Sequence, residues 1–181
     1  ALIMHAPEII GRDLFDLCSD SREVISKSVD ILEKTILRTR GLAPKFRAGV
    51  KPKIVLHVGG MSLGSGNYSC ADLTGKAEDV LRDIDVSGVE LLPENLPPRP
   101  WYLGGQWHQW GFMRPEDMAS FCKSLSLGMT FDICHAQLYC KYAGVELVDY
   151  AKIVMPFVRH VHISDAHGID GEGVQIGEGE L

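Results

Sequence analysis

The chain has 181 residues, of which 45% are hydrophobic and 23% charged, and its formal net charge is −6. Such a composition is that of one globular domain with enough chain to bury a core. No apolar run approaches the length of a membrane span, and the acidic balance gives no general attraction to nucleic acid. We therefore expect a single cytoplasmic domain over residues 1–181, with no membrane partner and with its five cysteines as buried free thiols.

Short apolar runs that alternate with amphipathic segments predict an α/β fold. Five runs predict strands, at residues 1–7, 53–60, 89–95, 128–136 and 158–166. Four helices are predicted within residues 21–42, 72–87, 114–128 and 143–157. In the first helix Ser21 is a suitable N-cap and Gly41 a suitable stop, and Pro115 opens the third. Strands that alternate with helices predict a parallel sheet.

The strands share an apolar face and a polar face, because successive side chains of a strand point in opposite directions. The apolar face carries Leu2, Met4, Ile54, Leu56, Val58, Phe131, Ile133, Val161 and Ile163. The opposite face carries His5, His57, Glu94, Asp132, His160 and His162, each near the C-terminal end of its strand. This placement predicts a (β/α) barrel with a site at its C-terminal mouth, and a doubly wound open sheet is the alternative.

Carboxylates in apolar strands indicate where the chemistry lies. An ionised carboxylate is costly to bury unless it is paired or bound to a metal, which favours a functional role for Glu94 and Asp132. His162 stands nearer the mouth than His160, which we expect to be structural or to support a ligand. Asp165 either orients a histidine or caps a loop. Mixed histidine and carboxylate donors suit a divalent ion such as Mn²⁺, Zn²⁺ or Co²⁺.

Several histidines and aromatic residues are weaker candidates. Lone histidines at strand ends, here His5 and His57, are more often structural than functional. His135 lies just past its predicted strand, where the chain can turn it into the mouth. The loop before the third predicted helix is rich in Trp and Tyr, and Trp107 and His108 are its candidate substrate contacts. It is either a packed loop or subunit contact, or a lid that closes over a small polar ring substrate.

Three motifs resemble the xylose-isomerase-like barrel superfamily, which includes sugar-phosphate isomerases and epimerases and barrel-type apurinic-site endonucleases. They are ELLPEN (90–95), GMTFDICHA (128–136) and VRHVHISDAHG (158–168) followed by IGEGE (176–180). The resemblance covers nearly the whole chain. It implies a (β/α)8 TIM barrel with Glu94, Asp132 and His162 as metal ligands and with His135 in contact with substrate or a further metal. His5 and His57 match positions that hold additional metals in the endonuclease branch.

Two departures from the family pattern bear on function. The endonucleases carry a DRH triplet just before IGEG, whereas residues 171–173 are GEG, which argues against a trinuclear zinc site and DNA repair. The family also places a last Glu, both ligand and base, on a final strand that residues 1–181 do not reach. A full barrel takes about 250 residues. We therefore expect a partial barrel of about five strand–helix units that lacks the first and last strands, with exposed edges through which it could form a homo-oligomer.

The resemblance implies a metal-dependent isomerase or epimerase that acts on a small sugar or sugar-phosphate-like carbohydrate. Glu94 would remove a proton from the carbon next to the carbonyl to give an enediolate, with His135 as its catalytic partner. If the final strand is absent, we expect weak metal binding and little turnover. Two alternatives stay open: a metal-dependent phosphoesterase for abasic DNA, and a barrel module of a larger sugar-biosynthetic protein that binds without turnover.

Overall fold

Five parallel β-strands form the centre of the fold. The computed structural model describes residues 1–64, 66 and 68–181. Its central strands are β1 (Ile3–His5), β2 (Lys53–Leu56), β3 (Glu90–Pro93), β4 (Met129–Asp132) and β5 (Val158–His162). β2 pairs in parallel with β1 and β3, and β4 pairs in parallel with β5. A single parallel bridge between Glu94 and Thr130 joins the two groups, so that consecutive strands are neighbours, as a barrel requires.

Most of the described helices begin at a side-chain cap or at a proline. They are α1 (Arg22–Leu42), α2 (Cys70–Arg82), α3 (Pro115–Leu125), α4 (Ile133–Ala143) and α5 (Leu147–Val154), with short 3₁₀ turns at Ala43–Lys45 and Met155–Phe157. The predicted cap of α1 is confirmed, because the Ser21 side chain accepts the Val24 N–H. Pro115 opens α3 as predicted, since the first turn of a helix needs no N–H there. The last predicted helix, 143–157, begins only at Leu147.

The fourth strand is shorter than the predicted strand over 128–136. It ends at Asp132, because the Asp132 carboxylate accepts the His135 N–H at 2.8 Å and caps α4. The change from strand to helix therefore takes a single residue. His135 therefore lies just past the strand, as expected, and in the first turn of α4.

Irregular antiparallel pairs surround the C-terminal ends of the strands. The predicted strand 158–166 is another correction, since it stops at His162. After it comes an antiparallel pair of Asp165–His167 with Gly171–Val174. Three shorter pairs join Ile9–Ile10 with Asp13–Leu14, Met61–Ser62 with His108–Gln109, and Trp101–Tyr102 with Gly105–Gln106.

The apolar face of the sheet is buried at its centre and open at β5. Ile54, Leu56 and Val58 are fully buried against the helices, as predicted. Val161 and Ile163, by contrast, are 45% and 61% exposed, so the predicted packing of this face against helices does not extend to them among the described residues. Formation of a homo-oligomer through exposed strand edges stays a prediction.

Two expectations from composition can be checked directly. None of the described helices is long and apolar enough to cross a lipid bilayer. All five cysteines are free thiols, and the buried ones are Cys18, Cys122, Cys134 and Cys140. Burial raises the pKa of the Cys140 thiol to about 11 and that of Cys122 to about 12, so these thiols are unreactive core residues.

Candidate metal centre

The three predicted metal ligands meet at the ends of three neighbouring strands. Glu94 follows β3, Asp132 ends β4 and His162 ends β5, where Asp132 and His162 are register partners. Glu94 Oε1 lies 2.7 Å from His162 Nδ1, which in turn lies 3.8 Å from Asp132 Oδ2. One donor atom from each residue lies within 4.8 Å of the other two. Register on separate strands thus brings together residues that are far apart in the sequence.

Glu94 is an ionised carboxylate inside a ring of imidazoles. Its side chain is 1% exposed, and Oε2 lies 3.2 Å from His57 Nε2 and 3.4 Å from His5 Nε2. Burial disfavours the charged form, but the hydrogen bond from His162 and the nearby His5 and His57 outweigh it and hold the pKa of Glu94 well below its usual range. The same pairing raises the pKa of His162. Glu94 therefore carries a negative charge throughout the physiological pH range.

These residues fit a divalent cation. Glu94 Oε2 is buried and makes no hydrogen bond within the described residues, which is costly unless it faces a charge. Two carboxylates and an imidazole are the mixed oxygen and nitrogen donors that suit Mn²⁺, Zn²⁺ or Co²⁺. Glu94, Asp132 and His162 would hold such a cation.

His135 is held in its protonated form beside this cluster. Its Nδ1–H donates to the Asn95 carbonyl at 2.8 Å, and Nε2 lies 3.0 Å from Glu172 Oε1, so both ring nitrogens face acceptors. Burial opposes protonation, but Glu172, Asp132 and Glu94 together raise the pKa of His135 to about 9. Both N–H groups of the protonated ring are thus engaged, and Nε2–H can donate to another acceptor only on leaving Glu172.

A second group of donors lies next to the first. His5, Glu8 and His57 each offer one donor atom within 4.8 Å of the others. Glu8 Oε1 is 3.8 Å from His5 Nε2 and 3.9 Å from His57 Nδ1, and Glu8 Oε2 accepts the Tyr102 hydroxyl at 2.7 Å. His57 Nδ1 is buried without a hydrogen bond among the described residues. His5 and His57, the two weaker histidine candidates, therefore both lie beside Glu94 and Glu8.

His160 and Asp165 are the residues expected to support a metal ligand, and their contacts differ. The His160 ring packs edge-on against the His162 ring, with centroids 4.9 Å apart. Asp165 is 2% exposed, and the groups that donate to its carboxylate, in the part of the chain that the structure describes, are the backbone N–H groups of Ala166, Gly177, Gly179 and Leu181. These four hydrogen bonds lower the pKa of Asp165. Of its two sequence interpretations, the loop cap matches these contacts and the histidine partner does not.

The aromatic loop (residues 96–114) is packed through contacts within itself and with neighbouring segments, where His108–Gln109 pairs with Met61–Ser62 and Tyr102 donates to Glu8. Trp107 lines a cavity of about 210 Å³ and donates its indole N–H to the Tyr102 carbonyl at 3.0 Å. His108 bonds to Arg99 and stacks on Trp110 with centroids 5.9 Å apart. These contacts agree with the packed-loop interpretation, and substrate contact by Trp107 and His108 stays a prediction.

Three residues near the cluster escaped the sequence analysis as site residues. Glu8 lies in a loop after β1, Asn95 follows Glu94, and Glu172 lies in an antiparallel pair, where a solvated acid is the usual expectation. None of them shows a periodicity that marks a functional side chain. Asn95 alone had a signal, since an amide that directly follows a buried apolar strand needs a hydrogen-bond partner.

Comparison with known proteins identifies the family. A family model described as a xylose isomerase-like TIM barrel matches residues 1–181, the full chain. The chain belongs to this family. The resemblance drawn from the three sequence motifs is confirmed, and the five parallel strands are part of a xylose isomerase-like barrel.

Solved and curated xylose isomerase-like relatives are distant. A D-tagatose 3-epimerase-like protein has a TM-score of 0.72 and 22% identity and is covered over 61% of its length by 99% of this chain. An L-ribulose 3-epimerase has a TM-score of 0.63 and 16% identity, and the match covers 92% of this chain and 50% of that protein. Endonuclease IV from Thermus thermophilus has a TM-score of 0.55 and 24% identity, and the match covers 95% of this chain and 56% of that protein. An uncharacterized protein of Methanocaldococcus jannaschii is 28% identical over 134 residues, which are 71% of this chain and 42% of that protein. The chain thus spans between 42% and 61% of the length of these relatives, and the structural matches show the fold alone.

Proposed function

We propose that the chain carries the proton-transfer site of a metal-dependent isomerase or epimerase that acts on a small hydroxy-carbonyl sugar. The observation behind this proposal is the environment of Glu94, an ionised and buried carboxylate. One of its oxygens makes no hydrogen bond to the described residues, and two further candidate metal donors, Asp132 and His162, lie beside it. Two structural neighbours, described as a D-tagatose 3-epimerase-like protein and an L-ribulose 3-epimerase, support a ketose as substrate.

The residues divide the chemistry between them. A divalent ion, when bound, would polarise the substrate carbonyl and acidify the neighbouring C–H bond. Glu94 accepts the proton of that bond, and the bonding electrons pass into an enediolate. His135 Nε2–H, on leaving Glu172, donates a hydrogen bond to the oxygen on which negative charge develops. Return of the proton to the opposite face gives an epimer, and its return to the neighbouring carbon gives an isomer.

Proton removal can be tested without the returning group. Metal-loaded protein is incubated in D₂O with D-tagatose or L-ribulose, and loss of the proton next to the carbonyl is followed by ¹H NMR. We expect Glu94→Gln to slow the exchange by roughly 10²–10⁴-fold, the usual contribution of a general base. The matched control is Glu90→Gln, at the other end of the same strand, where Glu90 Oε2 lies 3.6 Å from Lys53 Nζ. Equal exchange in the wild type and Glu94→Gln would refute the proposal.

A second candidate function follows from the second donor group. His5, Glu8 and His57 beside the first three donors could hold another ion, and paired ions suit hydrolysis of a phosphodiester such as abasic DNA. Zinc binding with two equivalents per chain, reduced to one by His57→Gln, together with cleavage of an abasic duplex, would favour this function. A fold that stays intact and takes up no metal would instead favour a module that binds without turnover.

A further inference from the structure

Asn95 is a fully buried polar residue at the seam between β3 and β4, and the chemistry proposed above does not use it. Its Nδ2 donates to the Asp132 carbonyl at 2.9 Å, and its Oδ1 accepts the Asp132 N–H at 2.9 Å. The main-chain carbonyl of Asn95 accepts the His135 Nδ1–H at 2.8 Å. One residue thus contacts a candidate metal ligand through its side chain and a candidate catalytic histidine through its backbone.

We propose that Asn95 is a positioning residue that fixes Asp132 relative to Glu94 and so sets the spacing of the two carboxylates in the metal centre. This inference rests on the proposed function, since it assumes that these carboxylates bind a cation. The seam between them has little other support. β2 and β3 pair over four residues and so do β4 and β5, whereas β3 and β4 share the single bridge between Glu94 and Thr130.

The Asn95 amide extends this short seam by imitating a peptide group. A strand residue offers its neighbour one N–H donor and one C=O acceptor, and the Asn95 side chain offers the same pair to the backbone of Asp132. Because Glu94 directly precedes Asn95 in the chain, its carboxylate becomes tied to the same frame. An alanine would leave the N–H and C=O of Asp132 unpaired on this side, and an ionised aspartate would repel the Asp132 carbonyl.

The orientation of the Asp132 carboxylate depends on the same contacts. Asp132 Oδ1 accepts the His135 N–H, which leaves Oδ2 as the oxygen near His162. Asn95 holds the backbone of Asp132 and also the ring of His135. Loss of its amide therefore frees the donor oxygen to move away from His162 and Glu94.

The test compares Asn95→Ala with Gln109→Ala. Gln109 is a matched control, because it is 4% exposed and its Nε2 also joins two backbone segments, through Gly59 O at 2.7 Å and Gly111 O at 2.8 Å. Affinity for Co²⁺ is measured by calorimetry, coordination by the visible absorption of the bound Co²⁺, and stability by urea unfolding in EDTA. We expect both variants to unfold at lower urea, but only Asn95→Ala to bind Co²⁺ roughly 10- to 100-fold more weakly and with an altered spectrum.

Wild-type Co²⁺ affinity and spectrum in Asn95→Ala, or an equal loss of affinity in Gln109→Ala, would overturn the inference. Asn95→Ser serves if the alanine variant does not fold. A further measurement needs no variant: Zn²⁺ added to the wild type should move the NMR resonances of the Asn95 side-chain amide and leave those of Gln109 in place, and an unmoved Asn95 amide contradicts the proposal. Glu94→Gln and Asp132→Asn distinguish failure of the role proposed for Asn95 from failure of the proposed metal centre. Unchanged Co²⁺ affinity in both variants would refute the metal centre itself.

Discussion

The protonated His135 predicts how stability of the metal-free protein depends on pH. Its pKa is raised from the usual 6.5 to about 9, so the folded state binds the proton more tightly than the unfolded chain. The corresponding stabilisation is fully present below pH 6.5 and is lost as the pH rises through 9. At about 1.4 kcal/mol for each tenfold change in proton affinity, a change from 6.5 to about 9 amounts to about 3–4 kcal/mol.

The variant Glu172→Gln should remove part of this stabilisation, since Glu172 makes the strongest single contact that favours the proton on His135. The Glu172 side chain is 46% exposed and therefore partly screened by water, so we expect a loss of about 1–2 kcal/mol at pH 6. At pH 10 the wild type and the variant should be equally stable. Glu178→Gln, a change of an exposed acid in the same C-terminal segment, is the control.

The assay combines urea unfolding in EDTA at pH 6 and pH 10 with an NMR titration of the His135 ring. The titration should centre near pH 9 in the wild type and move to lower pH in Glu172→Gln. A wild-type ring that titrates near 6.5, or a midpoint that Glu172→Gln leaves in place, would show that the contact between His135 and Glu172 does not govern protonation.

Three further predictions concern packing, the C-terminal loop and the metal. Phe121→Ala should cost about 3–5 kcal/mol in urea unfolding, because the side chain is 1% exposed; a cost under about 1 kcal/mol would contradict its place in the core. In Gly179→Ala the new Cβ would collide with the Asp165 carboxylate, so hydrogen exchange of the loop amides should accelerate. Gly75→Ala, in α2 with open space around it, should be neutral or stabilising by up to about 1 kcal/mol. Mn²⁺ at 100 times its dissociation constant should stabilise the wild type by about 2.7 kcal/mol in thermal unfolding, and a similar gain in Glu94→Gln would rule Glu94 out as a ligand.

The order of the strands and the clustering of the candidate ligands could be predicted from sequence, because both depend on alternation along a strand. The pleat placed Glu94, Asp132 and His162 on one face near one end, and parallel pairing then brought them together. The burial of Ile54 and Leu56 followed from the same alternation.

What escaped prediction depends on contacts that no short-range pattern records. The end of β4 at Asp132 could not be located, because residues 128–136 are apolar enough for either a strand or a helix, and a side-chain cap decides between them. Glu8 and Glu172 reach the site from irregular segments whose course is set by tertiary packing. The exposure of Val161 depends on which other segments pack against β5, and the strand's own sequence does not state this.

Asp132 serves two purposes with its two oxygens, since Oδ1 caps α4 and Oδ2 points to the cation donors. Glutamate would carry the same charge, but it is not among the residues preferred at an N-cap. Asparagine would keep the cap and give up the charge. If Asp132 binds a cation as proposed, substitution at this position is restricted in two ways, because a change that preserves the helix cap can still remove the metal donor.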